Sequence, residues 1–328
     1  MKKLNFGILG TGWIANEMAD TLARSGDANL YAVASRETAR AKAFAARYGI
    51  RKAYGSDAEL LADPDVDVVY VASPHSRHAE QMLACLDAGK HILCEKAFTV
   101  TAKQAREVLA RAREKKRVVA EAIWPRYMPM AKTIRDFCAS DRIGRVYAVY
   151  CNLGYPVAGV PRLREPELAG GALLDVGVYT LNFAALVLGG EVTGFTSSAV
   201  KNELGVDTQG SIALTYSDGR MATLLYSVLG TTDRLGVIYG EKGYALVENI
   251  NNFESLRAYD DDYNLIERVE RPPQVTGYEY EVRAITEAIL SGASECPDMP
   301  HAETIRIMEL MDGIRHSWGL WYPGEKTE

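Results

Sequence analysis

From Leu4 to Ile123 the chain alternates between two periods of apolar residues. Short runs that are apolar on both faces give way to stretches whose apolar positions recur every third or fourth residue. LNFGILG, NLYAVAS, DVDVVYVAS, KHILCE and RVVAEAI read as strands. WIANEMADTLARSG, ETARAKAFAARYG, SRHAEQMLACLDAG and TAKQAREVLARAREKK read as helices, the first two stopped by Gly26 and Gly49. Strands buried on both faces and joined by helical crossovers predict a doubly wound parallel sheet.

After Trp124 the pattern changes. MAKTIRDFCAS is a short helix, and RVYAVYCNLG, GSIALTYS, RMATLLYSVL and LGVIYG are strands. Turns at Ser217-Asp218-Gly219 and Gly240-Glu241-Lys242-Gly243 give hairpin-length connections and a largely antiparallel sheet. Helices near 277–291 and 301–320 close the chain. The expected class is α/β: an N-terminal Rossmann-type doubly wound parallel sheet over residues 1–124, and a C-terminal α/β domain with a large, mostly antiparallel open sheet over 125–328. Only Pro125 and Pro129 mark the boundary.

The strands of the second half do not alternate cleanly. GSIALTYS sets Ile212, Leu214 and Tyr216 on one face, with Ala213 and Thr215 on the other. RMATLLYSVL sets Met221, Thr223 and Leu225 on one face and Ala222, Leu224, Tyr226 and Val228 on the other. One face can pack on the domain's own helices, and the other leaves more apolar surface than a monomer usually exposes. A homodimer or higher oligomer through this sheet is therefore expected, with Leu224 and Tyr226 as the positions to test it. The alternative is that FESLRAYD and YNLIERVE fold back over the patch.

Composition narrows the setting. The chain has 328 residues, 48% hydrophobic and 24% charged, which suits a soluble chain of two domains. Its 37 basic and 43 acidic residues form no block that suggests a nucleic-acid or acidic-membrane partner. The opening MKKLNFGILGTGWIANEMAD has a basic start, but glycines and the early Glu17 and Asp20 break the apolar run a secretory leader needs. No stretch is expected to reach the ~20 apolar residues of a membrane helix. The five cysteines, Cys85, Cys94, Cys138, Cys151 and Cys296, are scattered and read as reduced thiols of a cytoplasmic protein. None has metal-ligand spacing, and no metal is expected.

The candidate chemistry sits at strand ends. GILGTGWIA places Gly10, Thr11, Gly12, Trp13, Ile14 and Ala15 between a strand and a helix as G-x-G-x-x-A. Gly10 permits the tight turn, Gly12 lets backbone approach a pyrophosphate, and Ala15 allows close helix–strand packing. At the end of the second strand, where an acid would bind the ribose 2′-hydroxyl of NAD, stand Ser35 and Arg36. A hydroxyl and a guanidinium suit the 2′-phosphate of NADP, so NADP is expected over NAD, with Glu37 as the residue that could reach back. Ser73, Pro74 and His75 end a central strand, where ligands of open α/β sheets bind. His78, in the next helix, reads as surface or as a dipole contact. In HILCEKAF, Glu95 and Lys96 also end a parallel strand. A desolvated lysine there suits proton transfer; the alternative is a lysine that snorkels to solvent beside Glu95.

GILGTGWIA, CEKAF, EAIWPRYMP, VPR and GGALLDVGVYTLNF together resemble the Gfo/Idh/MocA oxidoreductases over nearly the whole chain. Within that family they are most similar to the dimeric dihydrodiol dehydrogenase and NADP-dependent D-xylose dehydrogenase branch. The family signature Glu-Lys-Pro stands here as Glu95-Lys96-Ala97, and Asp-x-x-x-His as Asp175 to Tyr179. Tyrosine in the histidine position resembles the same branch, where it is taken as the general acid/base. A phenol with a pKa near ~10 needs a cationic neighbour to work at neutral pH, and Lys96 could be that neighbour. Asp175 and Tyr179 are four apart in an expected helix and share a face. The resemblance implies substrate or nicotinamide contacts at Trp124 and Arg126, with Tyr127 beside them; packing is the alternative. It gives Arg162 a place in a loop over the site, and Asn152 is a weaker candidate.

The resulting expectation is a cytoplasmic, NADP-dependent dehydrogenase (EC 1.1.1, with 1.3.1 the alternative). It moves a hydride between nicotinamide C4 and a carbinol or carbonyl carbon of a sugar, polyol or trans-dihydrodiol. Lys96, Tyr179 and Asp175 are its catalytic residues, and Lys96, Trp124, Arg162, Asp175 and Tyr179 bind substrate. Rival expectations are a non-catalytic sensor of sugar and NADP, and an inositol or sugar-nucleotide dehydrogenase.

Overall fold

The computed structural model describes residues 3–325, which divide into two compact units. The first comprises residues up to Tyr127 together with Gln274–Met308; the second comprises Met128–Pro273 and the chain from Glu309. The return of 274–308 to the first unit is a segment that the division at residue 124 does not contain.

In the first unit the chain runs β1 (Asn5–Leu9), α1 (Trp13–Ser25), β2 (Asn29–Ala34), α2 (Thr38–Tyr48), β3 (Lys52–Tyr54) and α3 (Asp57–Leu61). It continues through β4 (Val68–Val71), α4 (His75–Asp87), β5 (His91–Glu95), α5 (Ala102–Lys115) and β6 (Val119–Ala122) to a 3-10 turn at Trp124–Tyr127. All six strands are parallel, in the order β3-β2-β1-β4-β5-β6. This is the doubly wound Rossmann arrangement, and its order reverses between β1 and β4. Val68, Val69, Tyr70 and Val71 of β4 are wholly buried, as an inner parallel strand requires. Gly26 and Gly49 end α1 and α2 in the left-handed conformation, which glycine adopts without a Cβ penalty. The helix α9 (Glu279–Ser291) packs on β6 and on the 3-10 turn through a face that includes Val282 and Ile285.

The second unit holds α6 (Pro129–Ala139), β7 (Val146–Gly154), α7 (Pro161–Arg164), a π-helical turn at Leu173–Gly177 and α8 (Val178–Leu188). There follow β8 (Val192–Lys201), β9 (Asp207–Tyr216), β10 (Met221–Ser227), β11 (Gly236–Gly240), β12 (Gly243–Glu248), β13 (Ser255–Asp260) and β14 (Leu265–Glu270). The last helix, α10 (His301–Ser317), gives its residues up to Met308 to the first unit and the rest to the second. The eight strands form one sheet, ordered β14-β13-β12-β11-β7-β10-β9-β8. Only β7 and β10 pair in parallel.

One face of this sheet carries α8, every residue of which is buried. That explains why the helix lacks an amphipathic stripe. Pro166–Leu188 is long and apolar enough to cross a membrane, more so than the sequence pattern suggested, yet from Ala169 onward it is buried inside the unit as its core. Two strand expectations are corrected. Leu224 and Tyr226 point inward and are fully buried within their own unit, so they are not the outward face of β10; Met221 and Leu225 are, at 50% and 39% exposure. FESLRAYD and YNLIERVE become β13 and β14, which widen the sheet rather than cover it.

Candidate active site

The glycine-rich turn of the first unit joins the ends of three strands. Gly10 adopts φ +111°, its N–H donates to the Ala34 carbonyl at 3.0 Å, and an added Cβ would lie 2.8 Å from the Ala72 carbonyl oxygen. At Gly12, the cap of α1, an added Cβ would meet nothing within 4 Å. The N-terminus of α1 thus presents backbone donors to open space, the setting a pyrophosphate needs. Thr11 lies in this turn, and α1 begins at Trp13 and Ile14, with Trp13 71% exposed.

Ser35 and Arg36 follow β2, Arg36 on the surface. Glu37, the residue that could reach back, instead pairs with Arg40 at 2.9 Å. After β4, Ser73 Oγ donates to Gln81 Oε1 at 2.5 Å, Pro74 caps α4, and His75 opens that helix in a buried position. His78 differs from its sequence reading. It is wholly buried, with Nδ1 3.0 Å from the Ala97 carbonyl and Nε2 2.9 Å from the Ser73 carbonyl. Burial pushes its pKa down, so the ring is neutral and donates to one carbonyl at a time. It bridges the loops that leave β4 and β5. No periodicity could have revealed this, because the partners are backbone oxygens.

Lys96 lies just past β5, half-buried, and the Lys96–Ala97 peptide is cis. The preceding Glu95 is buried and accepts a hydrogen bond from the Tyr70 phenol. Trp124 stacks on Tyr278, with ring centroids 4.6 Å apart, and lies against Gly277, where an added Cβ would meet the indole at 2.6 Å. Arg126 is buried, its guanidinium 3.7 Å from Glu303. The Tyr127 phenol donates to the Glu121 carbonyl at 2.8 Å. Glu121, unremarked in the sequence, accepts from Thr304 at 2.9 Å; burial nevertheless pushes its carboxyl up to about 7.

In the second unit the structure brings two candidates together. Arg162, on α7, donates to Asp175 Oδ1 at 2.8 Å. Asp175 lies in the π-helical turn and Tyr179 in the first turn of α8, both buried. A π turn, common at functional sites, therefore separates two residues that the sequence placed on one regular helix. Asn152 is committed elsewhere: its Oδ1 accepts from Arg234 N at 3.1 Å and its Nδ2 donates to Asp233.

The π turn is held by a residue that sequence reasoning missed. Asp207 is wholly buried at the start of β9, and its Oδ2 accepts from Leu173 N at 2.7 Å. Its other oxygen lies against Gly171, at φ +117°, where any Cβ would collide with it. The Tyr322 phenol donates to the Gly170 carbonyl just before. Gly177, at the end of the turn, is packed 3.2 Å from the Tyr226 ring, measured from an added Cβ. Burial raises the Asp207 pKa to about 6, partly offset by the Leu173 N–H and the Tyr226 phenol. A raised carboxyl stabilises the fold fully below its unfolded pKa, and that contribution falls as pH rises through the folded value. Asp207→Asn should therefore gain thermal stability relative to wild type as pH rises from ~4 to about 6, and hold a constant difference above that. Melting temperatures of both proteins across this range check it.

Residues 4–123 match the oxidoreductase family with an NAD-binding Rossmann fold, and 131–246 match the GFO/IDH/MocA C-terminal domain. A trans-1,2-dihydrobenzene-1,2-diol dehydrogenase from Xenopus tropicalis is 34% identical over 97% of this chain and 99% of its own length. The mouse protein of that name is 32% identical over 98% and 99%. Among solved structures, a 3-ketoreductase from Actinomadura kijaniata in complex with NADP and TDP-benzene is 27% identical and superposes with a TM-score of 0.88, over 96% of this chain and 98% of that one. Levoglucosan dehydrogenase, in complex with NADH and levoglucosan, shares the fold at a TM-score of 0.85 and 18% identity, over 97% of each chain. The chain belongs to the GFO/IDH/MocA oxidoreductase family.

Proposed function

We propose that this oxidoreductase uses NADP to interconvert a carbinol and a carbonyl on a sugar, polyol or trans-dihydrodiol. The observation that carries the proposal is Lys96, a half-buried lysine at the carboxyl end of a parallel strand in a unit whose glycine turn fits a dinucleotide. The diol dehydrogenases and the ketoreductase among its relatives support the substrate class. When bound, the nicotinamide exchanges the hydride. The chain's own residues bind, orient and move the proton. The Gly10–Ile14 turn holds the pyrophosphate, and Ser73, Pro74 and His75 border the cofactor beside Glu95. Lys96 and Tyr179 serve the substrate hydroxyl, and Asp175, steadied by Arg162, orients the substrate. Trp124 and Arg126 line the nicotinamide side from their fixed positions. Five free thiols, four of them buried, suit the reducing cytoplasm.

The preference for NADP is supported by the place of Ser35 and Arg36 and by the pairing of Glu37 with Arg40, which turns the nearest acid aside. The ketoreductase relative was solved with NADP. Arg36→Ala should weaken NADPH binding at least about tenfold, as loss of a charge-assisted contact implies, and leave NADH nearly unchanged. Titration with each cofactor reads this out, and equal losses would overturn the preference. Turnover of NADPH on a panel of sugars, polyols, diols and dicarbonyls tests the activity. Lys96→Met should nearly abolish it with cofactor binding retained, and Tyr179→Phe should lower kcat by about 10²–10⁴-fold. Wild-type turnover by Tyr179→Phe would remove the phenol from the mechanism.

The same reading includes a homodimer through the outer face of the eight-stranded sheet. Strand register sets three rows across it: Gly194, Thr215, Met221 and Ala148; Thr196, Ala213, Thr223 and Tyr150; Ser198, Ser211 and Leu225. Not one of these residues is charged, and Met221 and Leu225 stand exposed. A second copy offering the same rows covers them without burying a charge. Light scattering should give a dimer or larger for the wild type and a monomer or aggregate for Leu225→Asp. A monomeric wild type overturns the assembly.

A further inference from the structure

Two glutamates in the first turn of α9 meet opposite surroundings. Glu279 accepts backbone N–H groups from Val275 at 2.6 Å, Thr276 at 3.1 Å and Gly277 at 2.7 Å. These donors outweigh burial and hold its carboxyl below the ordinary range. Glu281, two residues on, is 0% exposed, and neither of its carboxyl oxygens has a hydrogen-bond partner. The backbone donors of the loop before the helix are taken by Glu279. An ionised carboxylate without a donor in such a place costs far more than a neutral acid.

The groups facing Glu281 do not compensate it. Those that act on it are Glu95 at the end of β5, Tyr70 on β4, Tyr127 in the 3-10 turn and Cys296 ahead of α10. All are acidic or neutral at pH 7. Glu95 differs from Glu281 in two respects: it accepts the Tyr70 phenol, and it adjoins Lys96 in the chain. Two buried carboxylates side by side do not both ionise, and the one with a donor keeps the charge.

We propose that Glu95 and Glu281 share one proton, held on Glu281, so that a single buried carboxylate stands beside Lys96. Glu281 is thereby a positioning residue: by keeping the proton it leaves Glu95 as the one charged acceptor of the Tyr70 phenol, in the residue that precedes Lys96. Its bearing on catalysis rests on the role given to Lys96 above. Burial first, and then the Glu95 charge, raise the Glu281 carboxyl well above the ordinary range. Its stabilising contribution is thus complete below the unfolded pKa of ~4.3 and declines as pH rises through the folded value.

Glu281→Gln keeps the shape and removes the titration. At neutral pH the infrared carbonyl stretch of a protonated carboxylic acid should be present in the wild type and lose one acid's intensity in the variant. The melting temperature of the variant should gain on wild type steadily as pH rises above the unfolded range. An unchanged acid band, or a stability difference that does not vary with pH, overturns the proposal. Should Glu281→Gln not fold, Glu281→Met takes its place, because a neutral acid is replaceable by an apolar chain of similar size. Failure of both to fold also overturns the proposal. The infrared and melting measurements need no substrate. If Lys96→Met stays active while the acid band behaves as expected, the role of Lys96 fails and the shared proton stands.

Discussion

The first unit depends on how closely backbone can approach backbone at Gly10. Its N–H is bonded to the end of β2, while its Cα faces the carbonyl of Ala72 at the end of β4. Any side chain there would push these strands apart. With the approach intact, β1, β2 and β4 end together, and α1 starts at Trp13 with its free N–H groups over the edge where the strand order reverses. Lys96, Ser73 and His75 reach that same edge because parallel strands all finish on one side. His78 then ties the loops after β4 and β5 to one another.

The second unit solves the corresponding problem with a carboxylate. The chain from Gly170 to Gly177 must turn tightly and present Asp175, and its backbone donors are buried. Asp207 takes the Leu173 N–H, Tyr322 takes the Gly170 carbonyl, and glycines at 171 and 177 make room for the Asp207 carboxylate and the Tyr226 ring. Burying an acid costs free energy, seen in its raised pKa. The cost is offset by placing the π turn in one conformation. The C-terminal segment is drawn into the same network: Arg315, wholly buried, binds Asp312 at 2.6 Å and Glu325, which in turn accepts the Tyr322 N–H at 2.7 Å.

Much of this was legible in the sequence, and the reason differs by feature. The parallel sheet declared itself because its inner strands are apolar on both faces and its helices end at glycines 26 and 49. The glycine turn was legible because function and geometry demand the same residue type. β3, with three half-buried residues, was not, because it is too short for a period to show. β8 escaped because it is an edge strand of Thr, Ser and Gly with little apolar contrast. The face of β10 was misassigned because both of its faces are apolar, and only the packing of α8 on one of them decides which is covered. Asp207, His78, Glu121 and Glu281 were silent for a common reason. Each is a polar residue whose meaning lies in burial and in partners outside its own helix or strand or absent, and local pattern carries neither.

Four buried acids differ in their supply of hydrogen-bond donors. Glu279, with three N–H groups, stays ionised at a helix end that favours negative charge. Asp207, with one strong backbone donor and a phenol beside it, is held part of the way. Glu121, bonded to the Thr304 hydroxyl and near Arg126, titrates close to neutrality. Glu281 has no donor and is held well above its ordinary range. All four expose almost no surface, yet Glu279 sits less deeply than the other three. Depth and donors together order them, because inside a protein a donor replaces the water that each carboxylate has lost. An interior built this way keeps few net charges, and it keeps them where a donor holds them. Glu95, with the Tyr70 phenol on it and Lys96 next in the chain, is such a place.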